Sequence, residues 1–171
     1  VCTGPARQHA DAMATLPMDS REQGHHQAIS AWLGGDWRGA SQRLDQVVQQ
    51  WPADLLALAM GHQLDFFLGD QLSLRDRIAR SLFELDPAHP TTALVKGMYA
   101  FGLEETGDLS RAEQVGREAI AVNPADVWAI HAVTHVFEMR GRADDGVRFL
   151  LERKADWATG NLFTVHSWWH L

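Results

Sequence analysis

Apolar residues recur along this chain every three or four positions, and no stretch alternates with period two for long enough to suggest a sheet. The pattern predicts an all-α chain of paired helices. Gly35-Asp36, Gly69-Asp70, Gly107-Asp108 and Gly141-Arg142 punctuate it at separations of 34, 38 and 34 residues. Internal periods of this size mark an α-solenoid. Five residues beyond the glycines stand the small residues Ala40, Ala112 and Gly146, with Leu74 in a looser second unit. Pro52 and Pro124 follow seventeen residues beyond their glycines, and Pro87 eighteen beyond its own. In each unit a first helix ends at the glycine, and a second packs closely against it through the small residue. The proline stops the second helix, and Asp54 or Asp126 caps the next first helix. The expected first helices lie near 22–34, 55–68, 91–106, 127–140 and 162–171, and the second helices near 38–50, 72–85, 109–122 and 143–154. Residues 1–20 read as an irregular lead-in with room for one helix, and 21–171 as the repeat domain.

Several strings carry a family resemblance: "FFLGD" at 66–70, "LRDRIAR" at 74–80, "GMYAFGLEETGD" at 97–108, "DVWAIHAVTHVFEMRGR" at 126–142 and "FTVHSWWHL" at 163–171. Over roughly residues 20–171 the chain resembles tetratricopeptide repeat (TPR) proteins, and more specifically the tetratricopeptide repeat protein 38 family. The resemblance implies a helical scaffold of about four repeats and a fifth first helix, and leaves the molecular activity undefined. It also implies that the first helices line a concave groove through set positions of each repeat. With the glycine as position fifteen, position five carries His25, Ala59, Gly97 and His131. Position nine carries Ile29, Gln63, Phe101 and His135, and position twelve Trp32, Phe66, Glu104 and Glu138.

Candidate chemistry gathers late in the chain. His131, His135 and Glu138 follow i, i+4, i+7 spacing, within about 60° of one another around a helix. His166 and His170 repeat the pair 35 residues later, so they should occupy equivalent places on the next first helix. Packed helices lie about 8–10 Å apart, which brings two such pairs within chelating reach. Histidine nitrogens with a carboxylate suit zinc or a similar divalent ion. Two other readings stand beside this one: groove polarity with imidazoles packed on Trp128, Trp168 and Trp169, and acid–base work on a small molecule. Ala132 stands where a zincin HExxH would have its glutamate, so that mechanism is excluded. Phe66, Phe101, Glu104 and Trp128 complete the candidate groove residues. His25-His26 reads as too distant along the repeats to join the cluster, His62 as buried and hydrogen-bonded, His89 as an exposed linker residue, and Glu104-Glu105 as groove charge or a solvated helix end.

Composition narrows the function classes. Of 171 residues 46% are apolar, enough for a continuous core, and the net charge is −7. That balance argues against a nucleic-acid or anionic-membrane partner. The longest apolar runs, such as "LLALAM" at 55–60, fall far short of a membrane span, and the start has no signal-peptide pattern. The single cysteine, Cys2, reads as an incidental thiol and points to a reducing, cytoplasmic setting. The start at Val1 and the stop at Leu171 inside an apolar pattern read as a fragment, with Trp168, Trp169 and Leu171 exposed and prone to self-association. The expected function is a non-enzymatic scaffold, without a cofactor, binding a protein, a cationic or aromatic-rich peptide, or a small molecule. The alternative is a metal-dependent or small-molecule-processing protein. Position five lacks lysine and position nine lacks asparagine, so carboxylate-clamp partners are not expected.

Overall fold

The computed structural model describes residues 4–161 and 163–171, and only the backbone at residue 90. The reading of Cys2 and the expected start of the fifth first helix at Leu162 lie outside the described residues. Every regular element among the described residues is helical. The chain forms two compact units, Val1–Leu85 and Asp86–Leu171.

The first unit holds α1 (Gly4–Met13), α2 (Ser20–Leu33), α3 (Trp37–Gln50), α4 (Leu55–Leu68) and α5 (Gln71–Glu84). The second holds α6 (Pro90–Glu105), α7 (Leu109–Val122), α8 (Val127–Met139), α9 (Ala143–Glu152), α10 (Lys154–Trp157) and α11 (Thr164–Trp169). Through α8, first and second helices alternate as the punctuation predicts. The lead-in contributes one helix, α1, tied to α2 by His26 Nε2 at 2.9 Å from the Ala10 carbonyl.

The Gly-Asp pairs do two things at once. Gly69 takes a left-handed φ of 66° at the end of α4, and the next residue, Asp70, caps α5 by accepting the Ser73 N–H. Asp36 and Asp108 cap α3 and α7 in the same way, alongside Asp54 and Asp126 on α4 and α8. Arg142 stands where the fourth aspartate would be, and α9 starts without a side-chain cap. The expected second helix at 143–154 also breaks at its far end: α9 ends at Glu152, and a four-residue turn, α10, carries Trp157 into the core. Trp157 Nε1 donates to the Leu150 carbonyl at 2.9 Å, which anchors the break. The fifth first helix is shorter than its expected span, forming only as α11.

In the first unit, the buried Arg77 guanidinium pairs with buried Asp65 at 2.9 Å and reaches the Ser41 hydroxyl at 2.8 Å. His62 is fully buried, donating from Nδ1 to the Leu74 carbonyl at 3.2 Å, and burial pushes its pKa down to about 3. His89 is exposed, yet it is more than linker: its Nδ1 accepts the Thr91 N–H and caps α6.

The second unit packs α7 and α8 around Ala119, Ile120, Ala129, Ile130, Val133 and Phe137, with Phe149, Leu150 and Trp157 from the following helices. Close approach of α7 to α8 requires Gly116, because a Cβ there would lie 2.6 Å from Val133 Cγ2. Val133 sits between His131 and His135, so this contact sets the depth of the site helix. Gly116→Leu is expected to destabilise the second unit by roughly 1–2 kcal/mol, overpacking of about 1–3 kcal/mol outweighing a helix-propensity gain of under 1 kcal/mol. Denaturant unfolding measures this, and an unchanged or raised midpoint would contradict the packing argument.

Candidate metal centre

Helix α8 is buried nearly all round, and its one half-exposed stripe carries His135 and Glu138. A turn earlier on that stripe, His131 is only 4% exposed. From α11, His166 and His170 meet this stripe at the same i,i+4 spacing. The ring centroids of His131 and His135 lie 4.1 Å apart, those of His135 and His170 4.8 Å, those of His131 and His166 4.8 Å, and those of His166 and His170 4.5 Å. His170 Nε2 is 3.1 Å from His135 Nε2 and 3.0 Å from His166 Nε2. One ring nitrogen from each of the four lies within 4.8 Å of the other three.

Two carboxylates stand behind this cluster. Glu104 Oε2, on α6, lies 3.2 Å from His135 Nδ1, and Glu138 Oε2 lies 3.2 Å from His170 Nδ1. Both are ion-pair contacts rather than well-aligned hydrogen bonds. A carboxylate beside Nδ1 favours the hydrogen there and leaves the Nε2 lone pair free. The Nε2 atoms of His135 and His170 face each other at hydrogen-bond distance, close enough to share a proton or to flank a cation. Both ring nitrogens of His131 are buried without a hydrogen-bond partner.

Electrostatics keeps most of the cluster neutral. Burial, then the charge shared by His135, His166 and His170, pushes His131 down to about 2. His166 and His170 are lowered by burial and then by His135. For His135 burial also acts downward, but Glu104, Glu138 and Glu105 outweigh it and raise its pKa. The result is three imidazoles held toward the unprotonated form, the form that donates to a metal, beside a fourth, His135, held toward the protonated one.

The floor and walls are aromatic. Phe101 packs on Trp128 at 5.4 Å and on His131 at 5.3 Å. Phe163 lies 4.7 Å from both Trp128 and His131. Trp169 stacks on His166 at 5.8 Å, while Trp168 turns away onto Trp157 at 5.2 Å. Phe101, Glu104 and His131 are thus buried beneath the site, not exposed along an open groove as their repeat positions imply. Glu104 is no solvated helix end. Phe66 belongs to the first unit, in a partly exposed row where Trp32, Trp37 and Phe67 follow one another at 6.0 and 6.1 Å and Phe66 adjoins Phe67 at 5.7 Å. Sequence reasoning missed the contact of Phe163 with Trp128 and the pairing of Glu104 with His135. Their adjacent repeat positions, twelve and nine on consecutive first helices, were the available signal for the pairing.

The helix caps also differ between units. In the first, Asp54 pairs with His25 Nε2 at 2.7 Å and Arg21 at 3.5 Å. Burial acts upward on its pKa, but the Ala57 N–H, His25 and Arg21 together bring it below the usual value. In the second, Gly97 stands at the position of His25, and the Asp126 carboxylate lies against it with Oδ2 unpartnered. Burial pushes Asp126 up from 3.8 to about 6. Its folded pKa exceeds its unfolded one, so the associated stability is complete below about pH 4 and is lost as pH rises through about 6. Asp126→Asn keeps an oxygen for the Ala129 N–H and removes the charge. Relative to wild type, its stability is expected to rise by up to about 3 kcal/mol between about pH 4 and pH 8. Paired denaturation curves at the two pH values test this, and a difference that does not vary with pH would contradict it.

No protein-family profile matches the chain. Among solved structures it is similar to a kinesin light chain-like protein from Podosopora anserina built of nearly identical TPR-like repeats. The TM-score is 0.59 at 15% identity, covering 89% of this chain and 83% of that one. A variant of the same protein gives a TM-score of 0.61 with the same identity and coverage. At this identity the likeness concerns the fold alone: the chain is an all-α, TPR-like helical repeat.

Proposed function

We propose that this TPR-like repeat binds a divalent transition metal of the zinc class through His131, His135, His166 and His170. The observation that carries the reading is the convergence of four imidazole nitrogens, with Nε2 atoms 3.0 and 3.1 Å apart and carboxylates behind two of the rings. Tetrahedral zinc with Zn–N bonds of about 2.0–2.1 Å would hold its nitrogens roughly 3.3 Å apart, so small adjustments suffice. An all-nitrogen donor set disfavours magnesium and calcium, which take oxygen ligands. Glu104 and Glu138 act as outer partners that orient the rings and raise their basicity.

A second reading draws on the repeat fold itself, which serves as an interaction scaffold, and on the exposed Trp37, Phe66 and Phe67 of the first unit. Under it this row takes an aromatic-rich peptide. Peptide-array binding that survives Trp37→Ser and Phe67→Ser would dispose of it. No helix among the described residues is long and apolar enough to cross a membrane, and we place the chain in a reducing, cytoplasmic setting.

Untagged protein is expected to carry about one equivalent of zinc and to rebind it after chelation. His135→Ala and His170→Ala should abolish binding with helical content retained. Affinity should fall as pH drops through the titration of His135, the ring whose pKa is raised above the usual 6.5, by roughly tenfold per unit for that ring, the other three being held low. Metal analysis and calorimetry measure both. Failure of the intact chain to take up zinc at neutral pH would remove the metal reading and leave the scaffold.

A further inference from the structure

Resting on the metal reading above, we infer that the ion acts as a structural staple that fastens α11 to α8, and not as a catalytic centre. Four protein nitrogens complete a tetrahedral shell and leave no position for water or substrate, which is the pattern of structural zinc sites. The ligands divide two and two, His131 and His135 from α8 against His166 and His170 from α11. Such a division makes the ion a crosslink between two segments.

Helix α11 needs one. It begins without a side-chain cap, after a loop in which Gly160 takes a φ of 73°. One flank is bare, with Val165 83% and Trp169 73% exposed. Much of its other anchorage runs backwards to the adjoining α10. The Thr164 hydroxyl donates to the Trp157 carbonyl at 3.3 Å, Trp168 packs on the Trp157 ring, and Lys154 Nζ sits 4.6 Å above Trp168. Toward α8, the ring contacts of this segment are those of the imidazoles and of Phe163, just before the helix. With no ion, the Nε2 atoms of His135 and His170 meet at 3.1 Å across that junction, a contact that needs a proton on one of them. With an ion they are held together, and α11 covers the aromatic floor formed by Phe101, Trp128 and His131.

Hydrogen exchange on the intact chain, zinc-loaded and zinc-stripped, tests the staple beside calorimetric titration with zinc chloride. Zinc should slow amide exchange at residues 164–171 at least tenfold while leaving α7 essentially unchanged. His170→Ala should lose that protection and His170→Cys, which restores a donor, should recover it. Cobalt(II) loaded in place of zinc should give the intense visible bands of a tetrahedral ion, unaltered by azide. Stoichiometric zinc uptake without protection of α11, or a cobalt spectrum shifted by azide, would overturn the staple while leaving the metal site standing. Absence of zinc uptake would overturn both.

Discussion

The site depends on two carboxylates that never need to touch what it binds. Glu104 and Glu138 each sit 3.2 Å from the Nδ1 of an imidazole, and each turns the other ring nitrogen toward the same small volume. Without them the rings of His135 and His170 would lose the contacts that favour hydrogen at Nδ1. With them, the lone pairs converge. The two carboxylates differ in exposure: Glu104 is buried on α6, whereas Glu138 is largely exposed on α8. Glu104 therefore exerts the stronger field, and His135 is the ring of the four whose pKa is raised.

Burial decides the remaining chemistry. A charged imidazole at His131 would be desolvated among Phe101, Trp128 and Phe163, so it stays neutral at any ordinary pH. Two unpartnered nitrogens inside a packed helix interface represent an unmet polar demand of the kind folded proteins seldom tolerate. The scaffold around it is rigid: Gly116 allows α7 to press against Val133, and Thr134 returns its hydroxyl to the Ile130 carbonyl at 2.8 Å. The α8 half of the cluster is thus fixed by core packing, whereas the α11 half rests on a short, partly exposed segment. A site with one preorganised half and one loosely held half couples ligand binding to local order.

Much of this was legible in the chain. The glycine punctuation located α2 to α8 to within a residue or two, since most of the boundaries rest on local backbone chemistry, a left-handed glycine or a capping aspartate. The i,i+4 histidine pairs were legible for the same reason. Depth was harder to read. Repeat register assigns His131, Phe101 and Glu104 to a groove, but whether that groove stays open depends on what packs over it, and residues 163–170 do so here. The break between α9 and α10 escaped as well. Arg142 in place of an aspartate marks the weakened start of α9, but its early end is set by Trp157 reaching the Leu150 carbonyl, a tertiary event. Asp126 illustrates the same limit. Its capping role follows from sequence, whereas its bare Oδ2 depends on Gly97, twenty-nine residues earlier, standing where the first unit has a histidine.

That contrast suggests how a repeat fold acquires chemistry. In a solenoid, equivalent positions of successive first helices lie side by side, so a two-residue motif becomes a four-residue cluster when it recurs one period later. His131 and His135 with His166 and His170 are such a recurrence, and no long-range coordination of sequence is needed to align them. The same register relates position five to the cap of the following first helix. There, His25 pairs with Asp54, while Gly97 leaves the Asp126 Oδ2 without a side-chain partner. At both places the identity of a first-helix residue, read against its counterpart one repeat away, decides whether a buried charge is compensated from within the chain. At the four imidazoles, on the metal reading proposed above, the compensation would come from outside it, since two carboxylates lie behind the rings and the ring nitrogens converge. Under that reading a bound cation would meet the requirement with nitrogens that already lie within 4.8 Å of one another.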